Sequence, residues 1–194
     1  MDKIKKYKIL FSLLLIATVI VAALVIIKYI NIFNNEKNLK MTIANIYEEV
    51  SENDNSIPQI NQEIDGHKVI GIIKIPKINL EYPILETTNK NTLNLSITKF
   101  WGNQINEIGN VTLAGHNNLN GTMFGKIKKL EVGDIIELTD IQNVVIQYQI
   151  FKTYVIDPND ISCILPEQKA VREVTLITCT NGNKNRFIVK AREI

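Results

Sequence analysis

The stretch TLITCTNGNKNRFIVKA, Thr175–Ala191, decides how the rest of the chain is read. Two apolar runs rich in β-branched residues flank a turn built around Asn181-Gly182, a dipeptide that favours tight reversals. The first run ends in Cys179 and the second opens with Arg186. The gap Thr180–Asn185 has the length of a hairpin loop, so the runs are expected to pair as neighbouring strands with Arg186 across from Cys179. A thiol at the exit of a strand is accessible while the strand fixes its position. A nucleophilic cysteine needs both, together with a basic neighbour that favours the thiolate. The plainer reading is a small apolar residue capping a core strand.

The pattern recurs upstream. Val111-Thr112-Leu113-Ala114-Gly115 ends in His116, followed by Asn117-Asn118. An imidazole titrates near neutrality, which makes it the usual acid/base partner of a thiol. Gly115 would permit close approach of another backbone. The plainer reading of His116 is a solvated loop histidine, and that of Arg186 a surface salt bridge. A guanidinium is no base near neutral pH, but it can hold a carbonyl or a developing oxyanion. Arg172 lies at the far end of the Cys179 strand and is read as structural.

Further strand-like runs are VIGIIKI, INLEYPI, DIIELT, VVIQYQIFKTYVI and RFIVKARE, bounded by Gly, Pro, Asn and Asp. From His67 on, helical patterns are limited to Asn91–Thr98 and Thr122–Leu130. Seven or eight short strands with little helix predict a mainly β fold, a closed barrel of about eight strands. No internal repeat or low-complexity tract interrupts it.

The N-terminus has a different character. Lys3, Lys5, Lys6 and Lys8 precede Ile9–Ile27, which is apolar except for Ser12 and Thr18. This matches the ~20 residues of a membrane-spanning helix and exceeds the h-region of a cleaved signal peptide. The lysines before the span outnumber Lys28 after it, so the positive-inside rule puts the N-terminus in the cytoplasm and the bulk of the chain outside. Residues 28–66 are read as a stalk, with a possible short helix over Leu39–Val50 and a loop at Ser51–Ser56. The folded domain is read as 67–194. Of the net charge of +2, the basic share lies mainly at the N-terminus. The remainder is slightly acidic, with no basic stripe for nucleic acid.

Two cysteines leave a Cys163–Cys179 disulfide open, but exported domains that depend on disulfides are usually small and cysteine-dense. His67, His116, Cys163 and Cys179 fit no compact zinc motif, having no Cys-x-x-Cys and no His-x-x-x-His. His67 and Cys163 are read as structural. No metal and no cofactor are expected.

TLITC at Thr175–Cys179, LAGHN at Leu113–Asn117, GTMFGKIKKL after the histidine and Arg186 on the last strand together resemble the sortases, membrane-anchored cysteine transpeptidases of Gram-positive bacteria. The resemblance covers His67–Ile194. It implies a β-barrel of about eight strands, with Cys179 attacking the threonine carbonyl of an LPxTG-like sorting signal. The matching His116 would handle the amine protons, and Arg186 would bind the signal and the oxyanion. An amine acceptor, a cell-wall cross-bridge or a pilin lysine, would resolve the thioacyl-enzyme and so anchor surface proteins to the wall. The chain fits a housekeeping-like or class D-like subclass. Some relatives bind calcium near these loops. Glu131, Asp134, Asp157 and Asp160 offer oxygens here, and we expect them to be solvated. The competing expectations are an exported peptidase that uses water, and a non-catalytic tethered binding domain.

Overall fold

The computed structural model describes residues 3–52 and 60–194, the side chains of 49–52 excepted. The first element is one helix, α1 (Lys3–Glu52). The chain divides into two compact units, Met1–Asn38 and Leu39–Ile194. In the first unit, the expected span Ile9–Ile27 lies within a helix long and apolar enough to cross a membrane. Its large side chains are exposed, as in Leu13, Ile20 and Val25. An apolar surface all round a helix is what lipid accepts and water does not.

Among the described residues of the second unit, nine strands follow: β1 (Glu63–Ile64), β2 (His67–Ile75), β3 (Leu80–Leu85), β4 (Ile97–Gly102), β5 (Gly109–Ala114), β6 (Ile135–Asp140), β7 (Val145–Ile156), β8 (Arg172–Thr180) and β9 (Asn185–Glu193). Their order is β1-β2-β3-β4-β5-β8-β9-β7-β6, and β6 pairs back onto β2, which closes β2–β9 into an eight-stranded barrel. The expectation of a mainly β, closed barrel of about eight strands is met. Two pairings are parallel, β3 with β4 and β5 with β8; the rest are antiparallel. The closing seam needs Gly71, where an added Cβ would lie 2.4 Å from the Thr139 carbonyl oxygen.

Strand alternation sorts the side chains. Val111, Leu113, Val174, Leu176, Val189, Ala191, Tyr148 and Ile150 fill the interior, all buried. The Tyr148 hydroxyl is satisfied by Asn106 Oδ1 at 3.0 Å, and burial pushes its pKa far up.

On the other side of β2, Ile72 and Lys74 face outward, paired with Pro83 and Glu81 of β3. Ile72 is nevertheless only 1% exposed. The cover is the end of α1: Leu39, Ile43 and Ile46 belong to the same buried cluster, joined by Ile60 and Ile64. Tyr47 fixes the register of this cover by donating its hydroxyl to Glu81 Oε1 at 2.9 Å.

Two expectations thereby change. The helix forecast over Leu39–Val50 lies inside α1 and packs as part of the domain, because Leu39, Ile43 and Ile46 form a one-sided apolar stripe that must be buried. The compact unit therefore begins at Leu39 rather than at His67. The loop forecast at Ser51–Ser56 meets α1 at Ser51 and Glu52, and its residues 53–56 lie outside the described residues.

The two helical patterns inside the domain are shorter than expected. α2 (Lys90–Leu95) stops before Ile97, opened by an Asn89 capping box that bonds the amides of Asn91 and Thr92. The second forms a 3-10 turn, Phe124–Lys129.

Candidate active site

The register of three neighbouring strands builds the site. β8 and β9 pair antiparallel with Cys179 opposite Arg186, as the hairpin reading of Thr175–Ala191 anticipates. β5 and β8 run parallel, with Ala114 as the last partner of Ile177. Two residues further along, the same register sets His116 level with Cys179. The β5 strand ends at Ala114, but two bonds keep the chain alongside β8: Gly115 N–H donates to Ile177 O at 3.3 Å, and Thr178 Oγ1 donates to Gly115 O at 2.7 Å. His116, Cys179 and Arg186 thus form one row across three strand ends, and all three are half-buried.

Alternation shows which face carries the row. Leu176 and Thr178 point inward, so Cys179 points outward with Ile177 and Thr175. Arg186 shares the outer face with Ile188 and Lys190. The next row inward from the reactive end is apolar, made of Ala114, Ile177 and Ile188.

Beyond Cys179 the hairpin Asn181–Lys184 is exposed, and Arg186 Nη1 donates to the carbonyls of Asn183 in that hairpin (3.2 Å) and of Asn185 at the start of β9 (3.1 Å). These bonds hold the guanidinium against the turn that follows Cys179. Around His116, the space that Gly115 leaves is taken by a side chain, where a backbone had been expected. A Cβ there would lie 2.9 Å from Phe124 Cδ2, so the aromatic ring packs against the glycine. Phe124 N–H donates to His116 O at 3.0 Å, which turns the chain away from β8.

The rest of the outer face is roofed by the connection between β7 and β8. It leaves β7 at Ile156, the partner of Arg186, and is pinned by buried polar groups. Lys190 Nζ donates to Leu165 O at 2.7 Å and Asn110 Nδ2 to Ile164 O at 2.8 Å. The carboxylate of Glu173 accepts from the amides of Glu167 (2.7 Å) and Gln168 (3.1 Å) and from Arg192 Nη2 at 2.8 Å. Cys163 is buried in this connection, and burial pushes its thiol pKa up. Burial likewise holds the Lys190 ammonium below its ordinary value.

The remaining sequence candidates lie apart from the row. Cys163 and Cys179 are both free thiols. Arg172 sits at the opposite end of β8, bonded to Glu193 Oε2 at 2.7 Å and Asn106 O at 2.7 Å. His67 opens β2. Lys77 bridges Glu131 (3.4 Å) and Asp134 (3.2 Å). Asp157 and Asp160 cap local turns by accepting from Asn159 N–H and Ser162 N–H. Sequence reading missed Phe124, Lys190 and Glu173, because their roles depend on which loop crosses which face.

The fold and site together define a β-barrel protein with a cysteine, a histidine and an arginine aligned on adjacent strand ends. Comparison with known proteins adds the family. The Sortase domain model matches residues 73–194, and the chain belongs to the sortase family. It is 34% identical over 132 residues to Sortase A of Bacillus anthracis, covering 66% of this chain and 61% of that protein. To Sortase D of Bacillus subtilis it is 31% identical over 130 residues, covering 64% and 63%. The chain thus spans a little under two thirds of these relatives' lengths. A Clostridium perfringens Sortase D5 transpeptidase structure superposes with a TM-score of 0.63 at 30% identity, over 82% of this chain and 98% of that one.

Proposed function

We propose that this sortase is a membrane-tethered cysteine transpeptidase acting on an LPxTG-like sorting signal. The observation that carries the reading is the row His116–Cys179–Arg186, which gives a nucleophile a proton donor on one side and a guanidinium on the other.

The Cys179 thiolate attacks the threonine carbonyl carbon, and a C–S bond forms. Arg186 faces the oxyanion that develops. The C–N bond then breaks, and the leaving amine takes a proton from the His116 imidazolium. A second amine replaces it, gives its proton to the His116 imidazole and attacks the thioacyl carbon. A new amide forms and the Cys179 thiolate departs. The half-buried Ala114 and Ile177 beside the thiol, backed by the buried Ile188, offer apolar surface that suits the leucine and proline of such a signal. No metal or cofactor enters any step.

The acceptor is a cell-wall cross-bridge amine or a pilin lysine, and the product is a surface protein attached to the wall. Residues 1–8 lie in the cytoplasm, 9–27 span the membrane, and the domain that carries the site faces outward. Relatives named Sortase A and Sortase D suit the housekeeping-like and class D-like readings alike; the overlap with the Sortase D5 chain supports the second.

The test is mass spectrometry of the full chain in detergent micelles with LPxTG-like peptides and excess amines. An amide-linked product that disappears in Cys179→Ala is the expected result. Cleavage to a free acid despite the amine indicates a peptidase. A Cys179→Ala protein with full turnover refutes the assignment.

A further inference from the structure

The hydrogen-bond ladder between β5 and β8 has a break at the reactive end. In a parallel pair the bonds are evenly spaced, so a donor from residue 115 to the carbonyl of 177 is followed by one from 117 to 179. The first is present: Gly115 N–H donates to Ile177 O at 3.3 Å. By then the main chain has turned away, because Phe124 N–H holds the His116 carbonyl and Asn117 bridges to Met123. The Cys179 carbonyl would lose its main-chain partner at that point. The Asn117 side chain replaces it, with Nδ2 donating to Cys179 O at 3.0 Å. Only the amide nitrogen fits this role, since the carbonyl oxygen of Cys179 can only accept.

From this geometry we infer that Asn117 is a positioning residue of the transpeptidation reaction. Its amide stands in for the missing ladder bond, so β5 can break away to present His116 while β8 stays fixed up to its nucleophile. The inference rests on the proposed roles of Cys179 and His116. The side chain ties the residue after the imidazole directly to the main chain of the thiol residue. It therefore holds the two reacting groups in one frame without entering the chemistry. Fixing them in a reactive orientation is where such a bond acts on rate, and misplacement by about 1 Å can lower it about 100-fold. Asn117 makes no claim on substrate, so its loss should appear in kcat and not in KM.

The experiment compares the wild-type full chain in micelles with Asn117→Asp and Asn117→Ala. Asp keeps the shape but puts an acceptor against an acceptor, and its charge disfavours the neighbouring thiolate. Ala removes the contact alone. Rates are measured per alkylatable Cys179 thiol, with melting temperatures alongside, so that misfolded protein is not counted. The expected result is a fall in kcat of about 10–100-fold in both variants at unchanged KM. The alkaline shift of the thiol limb in the pH–rate profile should be confined to Asn117→Asp. Wild-type kcat in both variants overturns the inference. So does a raised KM at constant kcat, which would make Asn117 a substrate contact. A wild-type protein that forms no thioacyl-enzyme sinks the underlying reading instead, and is recognised before any variant is compared.

Discussion

Ile46 offers the sharpest test of the structure outside the site. It is 1% exposed, on the stretch of α1 that also buries Leu39 (2%) and Ile43 (6%). These side chains roof the outer face of β2, where Ile72 would otherwise meet water. Removing a buried Ile to Ala typically costs about 2–5 kcal/mol, the transfer term plus the cavity left behind. For a domain of this size each kcal/mol lowers the melting temperature by about 2–4 °C, so Ile46→Ala should melt about 4–20 °C below the parent chain. Met41→Ala is the control: Met41 is 54% exposed on the same helix, and the change should shift melting by little. Tyr47→Phe, which loses the exposed bond to Glu81, should cost less than about 1 kcal/mol. The assay is thermal unfolding followed by circular dichroism in the β region. A chain cut at residue 60 should lose more than Ile46→Ala, since all three side chains go together. If Ile46→Ala and Met41→Ala both melt with the parent, the helix is not part of the domain and the reasoning fails.

Other outcomes follow from the same geometry. Native protein should take up one equivalent of iodoacetamide, at Cys179, with Cys163 reacting only after unfolding; two rapid equivalents in the native state would contradict the burial of Cys163. Gly71→Ala should destabilise the barrel by about 1–3 kcal/mol, because the new methyl meets the Thr139 carbonyl in the closing seam; chemical denaturation reads the loss. Gly115→Ala should press on the Phe124 ring and lower turnover more than it lowers melting temperature, since the displaced loop carries His116. Glu167 is held below the ordinary glutamate value, first by the Lys152 ammonium, and Glu193 first by the Arg172 amide. A carboxylate depressed on folding stabilises above its unfolded value, so this contribution is present above about pH 4.5 and fades as the pH falls through the lowered values. Both ion pairs still reach solvent, so the acid limb should be shallow, and Lys152→Met should flatten it further in a melting-temperature profile.

Much of the fold was legible because its strands announce themselves. The runs ending at Ile75, His116, Cys179 and Ile156 each carry β-branched residues up to a turn former. β4 was not legible: its opening residues Ile97-Thr98 were absorbed into a helical pattern that really stops at Leu95. It touches β3 at only two register pairs, and its far half carries exposed Phe100 and Trp101, so no alternation marks it. The row of three could be read since each member stands at the edge of an apolar run in the sequence. Asn117 could not, because its role appears only when one knows where β5 stops. The helix over Leu39–Val50 was visible as a period, but a period does not say what it packs against. Nothing in the sequence marks Lys190 and Glu173 as buried, because the loop that covers them crosses from elsewhere in the chain.

The parallel pairing of β5 with β8 has a kinetic meaning. Residues 116 and 179 are brought level by that ladder, with four other elements between them in the chain, and the barrel closes only when β2 finds β6. Such contacts pay loop-closure entropy early and are rewarded late, which places them near the end of folding. The proposed imidazole and thiol partners are therefore strangers in any partly folded chain. A nascent or threading polypeptide carries an ordinary thiol and an ordinary imidazole far apart, and reactivity should emerge in one step with barrel closure.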